Sequence, residues 1–384
     1  MDTPDVASAT RPVPWGLAGT IGLVIVVELV LAAHHLDFTR FYIHDWRAAG
    51  SAVQGKSSGC ALLCFGDSLV KFGVLPRVIQ ERTGERGYNL AVCGGQAASS
   101  YFLLRRTLDT QTRPSVVLAD FAPHLLAASP KHNLRQWPEL LSLRETVELG
   151  LRSRHAGFFA ELMLGTVLPS VKAREEIRGS VLAAIKGKPP SRRADVLQHC
   201  RIWDSNLGAD VHPDRPNYQG EIDAADRGYF PPAWSCHPVN AYFLERFLEL
   251  AAKNQVRVVW LLPPVTPNFQ LRREELGLEA SYLRFLATLS AKHPNLSIID
   301  ARHVGFDHSQ FVDPLHLNRR GAETLSTRIA VALSALSKEP SSPGHWINLG
   351  HHSVTHSMAP LTPIDPRTST VAFGHQTMEV YDGR

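Results

Sequence analysis

The sequence of 384 residues predicts an α/β fold built on a parallel, five-stranded sheet. The chain is 44% hydrophobic and 20% charged, a composition that supplies a core and excludes a disordered protein. Short apolar runs, largely bounded by Gly, Pro, Asn or Asp, alternate with longer segments of helical periodicity. This alternation is typical of a parallel sheet that helices cover on both faces.

Charge and cysteine content narrow the partners and cofactors that we expect. The net charge is only +4, from 40 Lys and Arg against 36 Asp and Glu, and no basic stripe is concentrated anywhere. We therefore expect no nucleic-acid partner. The five cysteines indicate neither a disulfide framework nor a paired C-x-x-C zinc pattern. Without a Walker loop or a Rossmann glycine motif, we expect no cofactor and no metal.

The N-terminal part of the chain predicts a membrane anchor. After a tail of residues 1–14, the segment Trp15–Ala33 carries one charge, Glu28. As a helix it would extend about 28 Å, close to the thickness of a bilayer core. A cleaved signal peptide has a shorter apolar core and a basic start. We therefore expect an uncleaved, single-pass transmembrane helix, with a buried core helix as the alternative.

The remaining chain divides into a polar stalk (34–58), a folded domain (59–338) and a disordered tail (339–384). The predicted strands are 60–65, 89–92, 115–119, 256–262 and 296–300. The predicted helices are 75–83, 98–108, 241–253, 278–292 and one after Gly321. An insertion at about 130–240 is helical in pattern at 139–151 and 158–185, and its part 186–238 predicts a loop. Such an insertion either faces the substrate or is a surface elaboration.

A serine follows the first predicted strand directly, within Gly66-Asp67-Ser68-Leu69. The carboxyl edge of a parallel sheet exposes such a hydroxyl beside the first amides of the next helix, which can stabilise an oxyanion. Ser68 is therefore a candidate nucleophile that needs a base. An ordinary helix N-cap is the alternative role for it.

A candidate base lies near the other end, in Asp313-Pro314-Leu315-His316, just before the last helix. We expect His316 to take the proton of Ser68 and Asp313 to orient the imidazole. The spacing alone is not specific, because Asp300 and His303 repeat it. Asp300, however, ends a predicted strand instead of lying in a loop. A weaker candidate is a zinc site made from two pairs, His199-Cys200 and Cys236-His237.

Together these motifs resemble the SGNH (GDSL-type) hydrolase superfamily over about residues 59–337. The resemblance implies a flavodoxin-like three-layer sandwich, a Ser68–His316–Asp313 triad, and an oxyanion hole formed by the amides of Ser68 and Gly94. Gly94 belongs to the second block, Asn89-Leu90-Ala91-Val92-Cys93-Gly94-Gly95. The third block departs from the family: its usual Gly-x-Asn-Asp is replaced by Ala119-Asp120-Phe121-Ala122-Pro123-His124. The loss of one oxyanion donor costs about 2.7–4 kcal/mol, so either the activity is reduced or a third donor comes from elsewhere. His124 is one candidate donor, whereas Asp120 has the wrong charge for that role.

The resemblance implies a membrane-anchored serine esterase that hydrolyses O-acyl esters, such as O-acetyl esters, on a carbohydrate. Its expected substrate is an acylated small molecule or polysaccharide. We expect its catalytic domain to lie outside the cytoplasm. Two alternatives remain open. One is an O-acyltransferase that acts on a surface polysaccharide, and the other is a catalytically silent anchored module that binds a glycan or a protein.

Overall fold

The computed structural model describes residues 15–33, 41–110, 113–187, 192–215, 218–338 and 345–351. Within these ranges, one all-parallel sheet has the strand order β2-β1-β3-β4-β5-β6. The strands are β1 (Leu62–Phe65), β2 (Gly87–Asn89), β3 (Val116–Ala119), β4 (Arg257–Leu262), β5 (Leu296–Asp300) and β6 (Trp346–Asn348). The α/β class with a parallel sheet is confirmed.

Two details of the predicted sheet are wrong. The described sheet has six strands rather than five, because β6 pairs in parallel with β5 inside the segment for which the sequence predicted a disordered tail. A strand of three residues is too short to show a periodicity. The second strand also ends at Asn89, not at residue 92. Beyond it, Leu90 and Val92 still donate backbone hydrogen bonds to Cys64 and Gly66, but the chain is already turning.

Helices cover both faces of the sheet. Those before β4 are α1 (Trp15–Ala33), α2 (Phe41–Ala52), α3 (Ser68–Gly73), α4 (Pro76–Thr83), α5 (Ala97–Asp109), α6 (Pro123–Ala127), α7 (Trp137–Leu140), α8 (Leu143–Ser153), α9 (Ala156–Val167), α10 (Pro169–Lys172), α11 (Arg174–Ile185), α12 (Arg192–Ser205) and α13 (Pro238–Lys253). After β4 come α14 (Pro267–Glu275), α15 (Leu278–Lys292) and α16 (Arg319–Lys338).

Successive strand residues enter two different cores, as the alternation of side chains along a strand requires. In β1, Leu63 and Phe65 face a core completed by α2, α5, α13 and α15. Leu62 and Cys64 face the opposite core, completed by α4 and α16. Burial on both faces explains why the strands read as continuous apolar runs instead of alternating patterns.

The first helix has the bounds that the sequence predicted, but the transmembrane assignment finds no support. In the described parts of the chain, no helix combines the length and the apolar character needed to span a bilayer. The apolar side chains of α1 are exposed, among them Trp15, Leu23 and Leu29. Its one acidic residue, Glu28, accepts hydrogen bonds from the backbone and the hydroxyl of Ser170 at the start of α10.

The prediction of a polar stalk at 34–58 is wrong for the residues that the structure describes there. Residues 41–52 form α2, and its Trp46, Ala49 and Ala52 are buried in the core. These residues recur every third position, so one face of the helix is apolar. Residues 34–40 lie outside the described residues, as do the 1–14 segment and most of the predicted tail.

The prediction of a loop at 186–238 is also wrong in part. Residues 192–205 form α12, and residues 224–229 form a short 3₁₀ helix. The segment 192–205 contains neither Gly nor Pro, so nothing in it interrupts a helix. Averaging the composition over the whole segment concealed this run.

Candidate active site

The candidate site lies where the chain changes direction in the sheet. β1 lies between β2 and β3, so the chain leaves β1 toward one side for β2 and returns to the other side for β3. Such switch points leave a crevice at the carboxyl ends of the strands. Gly66 follows β1 with φ +130°, and a Cβ there would lie 2.4 Å from the carbonyl oxygen of Asp120, which follows β3. Glycine is therefore required where the two backbones meet.

Asp67 connects the turn after β1 with the loop after β3. One carboxylate oxygen accepts from the amide of Leu69 (2.8 Å) and so caps α3, while the other accepts from the amide of Ala122 (3.1 Å). Burial raises the pKa of Asp67 to about 6, although both amides and the nearby charge of His316 act to lower it. Because Asp67 occupies the cap, Ser68 is the first residue of the helix and not its N-cap.

The structure brings Ser68, His316 and Asp313 together in one relay. His316 Nε2 lies 2.8 Å from Ser68 Oγ, across 248 residues of sequence. On the other side of the ring, His316 Nδ1 lies 2.7 Å from Asp313 Oδ2. Asp313 Oδ1 accepts from the amides of Leu315 and His316, each at 2.8 Å. The carboxylate is thus held by its own loop, and it holds the imidazole in turn.

The charges of this pair stabilise each other. Burial acts to lower the pKa of His316, but the charge and hydrogen bond of Asp313 outweigh it, and the pKa is raised above its ordinary value. Burial acts to raise the pKa of Asp313, yet the His316 charge and three hydrogen bonds hold it well below its usual range. The carboxylate is therefore ionised at neutral pH, and the imidazole is a stronger base than a free histidine.

Aromatic rings fix the position of His316. Phe72 meets its ring edge-on at 5.7 Å, and His212 does so at 5.5 Å. Burial, followed by the charge of His316, lowers the pKa of His212 to about 4, so this neighbour is neutral at pH 7. The side chain of His316 is still 20% exposed, which leaves the relay accessible to a substrate.

The amides of Ser68 and Gly94 are both available to an oxyanion. Gly94 lies in a turn closed by a hydrogen bond from the amide of Gly95 to the carbonyl of Val92 (2.8 Å). Its φ of +69° favours glycine. Neither the Ser68 amide nor the Gly94 amide donates to another group in the described parts of the chain. The amide of Val92 in turn donates to the carbonyl of Gly66 (3.1 Å), which keeps this turn beside the loop that carries Ser68.

The segment that follows β3 contributes two ionisable groups, the buried Asp120 and the partly buried His124. Burial, followed by the charge of Asp67, raises the pKa of Asp120 well above its usual range, and neither carboxyl oxygen has a hydrogen-bond partner among the described residues. Burial, followed by the charges of His132, Arg273 and His316, lowers the pKa of His124 to about 3. At neutral pH His124 is therefore a neutral imidazole with one N–H donor.

The insertion reaches the site. The carbonyl of His212 accepts from the amide of Arg319 (3.2 Å), and Arg215 donates to the carbonyl of Val312 (2.9 Å), on either side of the histidine loop. The ring of Tyr229 stacks edge-on against His124 at 4.7 Å. Beside the relay lies an apolar cluster of Leu69, Ala122, Leu125, Val265, Phe269 and Leu315, with Tyr229 and Phe230 packed against it. His212, Arg215, Tyr229 and Phe230 of the insertion thus line one side of the site.

The weaker candidates from the sequence are not assembled. Asp300 pairs with Arg302 (2.6 Å), and His303 pairs with Glu274 (3.0 Å), so the acid and the imidazole of the second Asp-x-x-His copy pair with other residues and not with each other. The two pairs of the candidate zinc site have separate hydrogen-bond partners. In the first pair, His199 bonds to Asp210 and Cys200 Sγ lies 3.4 Å from His44 Nε2. In the second pair, Cys236 donates to the carbonyl of His237. Among the described residues, no three His, Cys, Asp or Glu side chains form a group able to hold a metal.

Sequence reasoning missed Asp67, His212 and the α2 residues that contact the Gly94 turn. Asp67 belongs to the motif itself and could have been identified from its N-cap position. His212 lies inside an insertion without a recognisable motif.

The chain was also compared with protein-family models and with curated proteins, and neither comparison gave a match.

Proposed function

We propose that this chain is a serine esterase of the SGNH type, with a flavodoxin-like three-layer sandwich, that hydrolyses O-acyl esters. The observation that carries this proposal is the relay Asp313–His316–Ser68, with distances of 2.7 and 2.8 Å. The strand order 2-1-3-4-5 of a flavodoxin-like sheet matches the first five strands.

In the proposed reaction, His316 Nε2 takes the hydroxyl proton while Ser68 Oγ forms a bond to the ester carbonyl carbon. The carbonyl π electrons move to the oxygen, where the Ser68 and Gly94 amides stabilise the negative charge. When the tetrahedral intermediate collapses, the C–O bond to the alcohol breaks, and His316 gives its proton to the leaving oxygen. Water then repeats these steps on the acyl-Ser68 ester and releases the acid.

The proposed substrate is an ester with a small acyl group, such as acetyl, on a carbohydrate. The apolar cluster that includes Leu69 and Leu315 flanks the nucleophile and the base, and it offers a surface for the acyl part. The family resemblance is what suggests the carbohydrate. Transfer of the acyl group to a sugar hydroxyl is the second candidate, favoured by the insertion side chains of Arg215, Tyr229 and Phe230 beside the site, because exclusion of water favours transfer over hydrolysis.

Labelling with a fluorophosphonate tests the nucleophile and the oxyanion hole together. We expect the full chain to react above background and Ser68→Ala and His316→Ala to react at background. His303→Ala is the matched control, since His303 is exposed and pairs with Glu274. Background labelling of the folded wild-type chain would contradict the proposal and favour the silent binding module. Assays on an acetylated sugar, with and without a second sugar acceptor, then separate hydrolysis from transfer.

A location at a membrane is a separate proposal. It is supported by the exposed apolar side chains of α1, since exposed apolar surface of this extent is usually covered by lipid or protein. Cell fractionation of the full chain, compared with a chain that begins at Phe41, tests it. If both fractionate alike, α1 does not attach the protein to a membrane.

A further inference from the structure

The turn that carries Gly94 is held from outside by α2. Trp46 Nε1 donates to the carbonyl of Cys93 (2.9 Å), and Asp45 Oδ2 accepts from the amide of Cys93 (2.7 Å). Both α2 side chains are completely buried. Trp46 also packs edge-on against Trp137 of α7, with ring centroids 5.0 Å apart, so its indole has little freedom to move.

These contacts determine the direction of one particular amide. The carbonyl of Cys93 and the N–H of Gly94 belong to the same peptide unit, which is planar and trans. In such a unit the N–H points opposite to the C=O. Because Trp46 holds the carbonyl toward α2, the Gly94 N–H must point away from α2.

The neighbouring peptide units are also fixed. The amide of Cys93 is bound by Asp45, and the carbonyl of Gly94 accepts from Asn133 Nδ2 (2.7 Å). The amide of Gly95 is bound by the carbonyl of Val92. Within this turn, the Gly94 N–H is the donor that remains available, and every group around it is held in place.

We propose that Trp46 and Asp45 of α2 are positioning residues that aim the Gly94 amide at the oxyanion, through Trp46 Nε1–Cys93 O and Asp45 Oδ2–Cys93 N. This inference rests on the proposed esterase function. It gives a catalytic purpose to a segment whose sequence resembles a stalk. An oxyanion donor must be preorganised to be effective, because a donor that reorients during the reaction loses most of its advantage.

The test compares Trp46→Phe with Trp260→Phe. Each variant removes one buried indole hydrogen bond, but the partner of Trp260 is the hydroxyl of Tyr282 (3.0 Å) and not a group of the Gly94 turn. The measurements are kcat and KM for 4-nitrophenyl acetate, the inhibition constant of phenylboronic acid, and the urea midpoint of unfolding. Phenylboronic acid reports on the oxyanion site because its tetrahedral adduct carries an anionic oxygen. We expect Trp46→Phe to lower kcat and boronate affinity by roughly tenfold or more, up to the 10²–10³ loss that follows complete removal of an oxyanion donor, with KM nearly unchanged.

Trp260→Phe should lower the unfolding midpoint without changing kcat or boronate affinity. If Trp46→Phe keeps wild-type kcat and boronate affinity, or if both variants lose activity in proportion to stability, the positioning role is overturned while the esterase function stands. A wild-type chain without fluorophosphonate labelling overturns both. Should Trp46→Phe fail to fold, Asp45→Asn replaces it in the comparison with Trp260→Phe. The asparagine keeps an oxygen that accepts from the Cys93 amide, but this bond is weaker without the negative charge. We therefore expect kcat to decrease less than in Trp46→Phe, with KM unchanged, and a wild-type kcat would overturn the positioning role.

Discussion

The exchange Asp313→Asn tests the pairing that sets the tautomer of His316. In the wild type, one carboxylate oxygen accepts from two backbone amides, those of Leu315 and His316. An asparagine retains both bonds only if its oxygen takes that place, because its amino group is a donor. The amino group then faces His316 Nδ1, which must act as an acceptor. The ring proton moves to Nε2 and points at Ser68 Oγ.

In that tautomer, His316 has no lone pair for the serine proton. The expected loss in kcat is roughly 10⁴, the magnitude of the same exchange in a serine protease triad, or about 5.5 kcal/mol at 1.36 kcal/mol for each factor of ten. We expect KM to change little, since the tautomer affects the chemical step and not substrate binding.

The assay is the hydrolysis of 4-nitrophenyl acetate at saturation, together with the rate of fluorophosphonate labelling. Asp307→Asn is the matched control, because Asp307 lies in the same loop and its carboxylate accepts from Ser309 (2.9 Å) rather than from a histidine. The reasoning is refuted if Asp313→Asn stays within tenfold of the wild type, or if its loss is no greater than that of Asp307→Asn.

Two further predictions follow from the same geometry. First, kcat/KM should rise with pH through a pKa above about 6.5, the ordinary value of histidine, because Asp313 raises the pKa of His316 and only the neutral imidazole accepts a proton. In a pH–rate profile, Asp313→Asn should shift this rise to lower pH. A wild-type profile that rises at or below the ordinary histidine pKa would contradict the pairing of His316 with Asp313. Second, Gly66→Ala should lower the free energy of unfolding by about 3 kcal/mol or more, since its Cβ would lie 2.4 Å from the Asp120 carbonyl oxygen. The measurement is urea unfolding, with Gly55→Ala as the control because no atom lies within 4 Å of its Cβ. Equal unfolding midpoints for the two variants would show that the backbones after β1 and β3 do not meet so closely.

Local patterns predicted the elements whose burial is simple. Strands such as β5 and helices such as α15 have the predicted bounds, because a strand buried on both faces or a long amphipathic helix leaves its pattern in the sequence itself. The failures occurred where a pattern is short or diluted. α12 was concealed by its polar surroundings, and β6 exists through its pairing with β5 rather than through any property of its three residues.

The case of α2 shows why local reading fails. Asp45 is a carboxylate on a short helix, and by composition it suggests a solvated linker. It is nevertheless completely buried, and its Oδ2 accepts from the amide of Cys93, 48 residues later. A buried charge is tolerated only when a partner is present, and nothing near Asp45 in the sequence identifies that partner.

The first five strands, the helices with a clear apolar pattern, and the motifs around Ser68 and His316 could be predicted from the sequence by itself, since each depends on neighbours within a few positions. Only the tertiary structure decided which of two Asp-x-x-His copies meets a serine, which amides remain without acceptors, and which parts of the insertion reach the site. These outcomes depend on contacts between segments that are far apart in the chain. Such contacts stabilise the fold, but they produce no periodic pattern in the sequence of either segment.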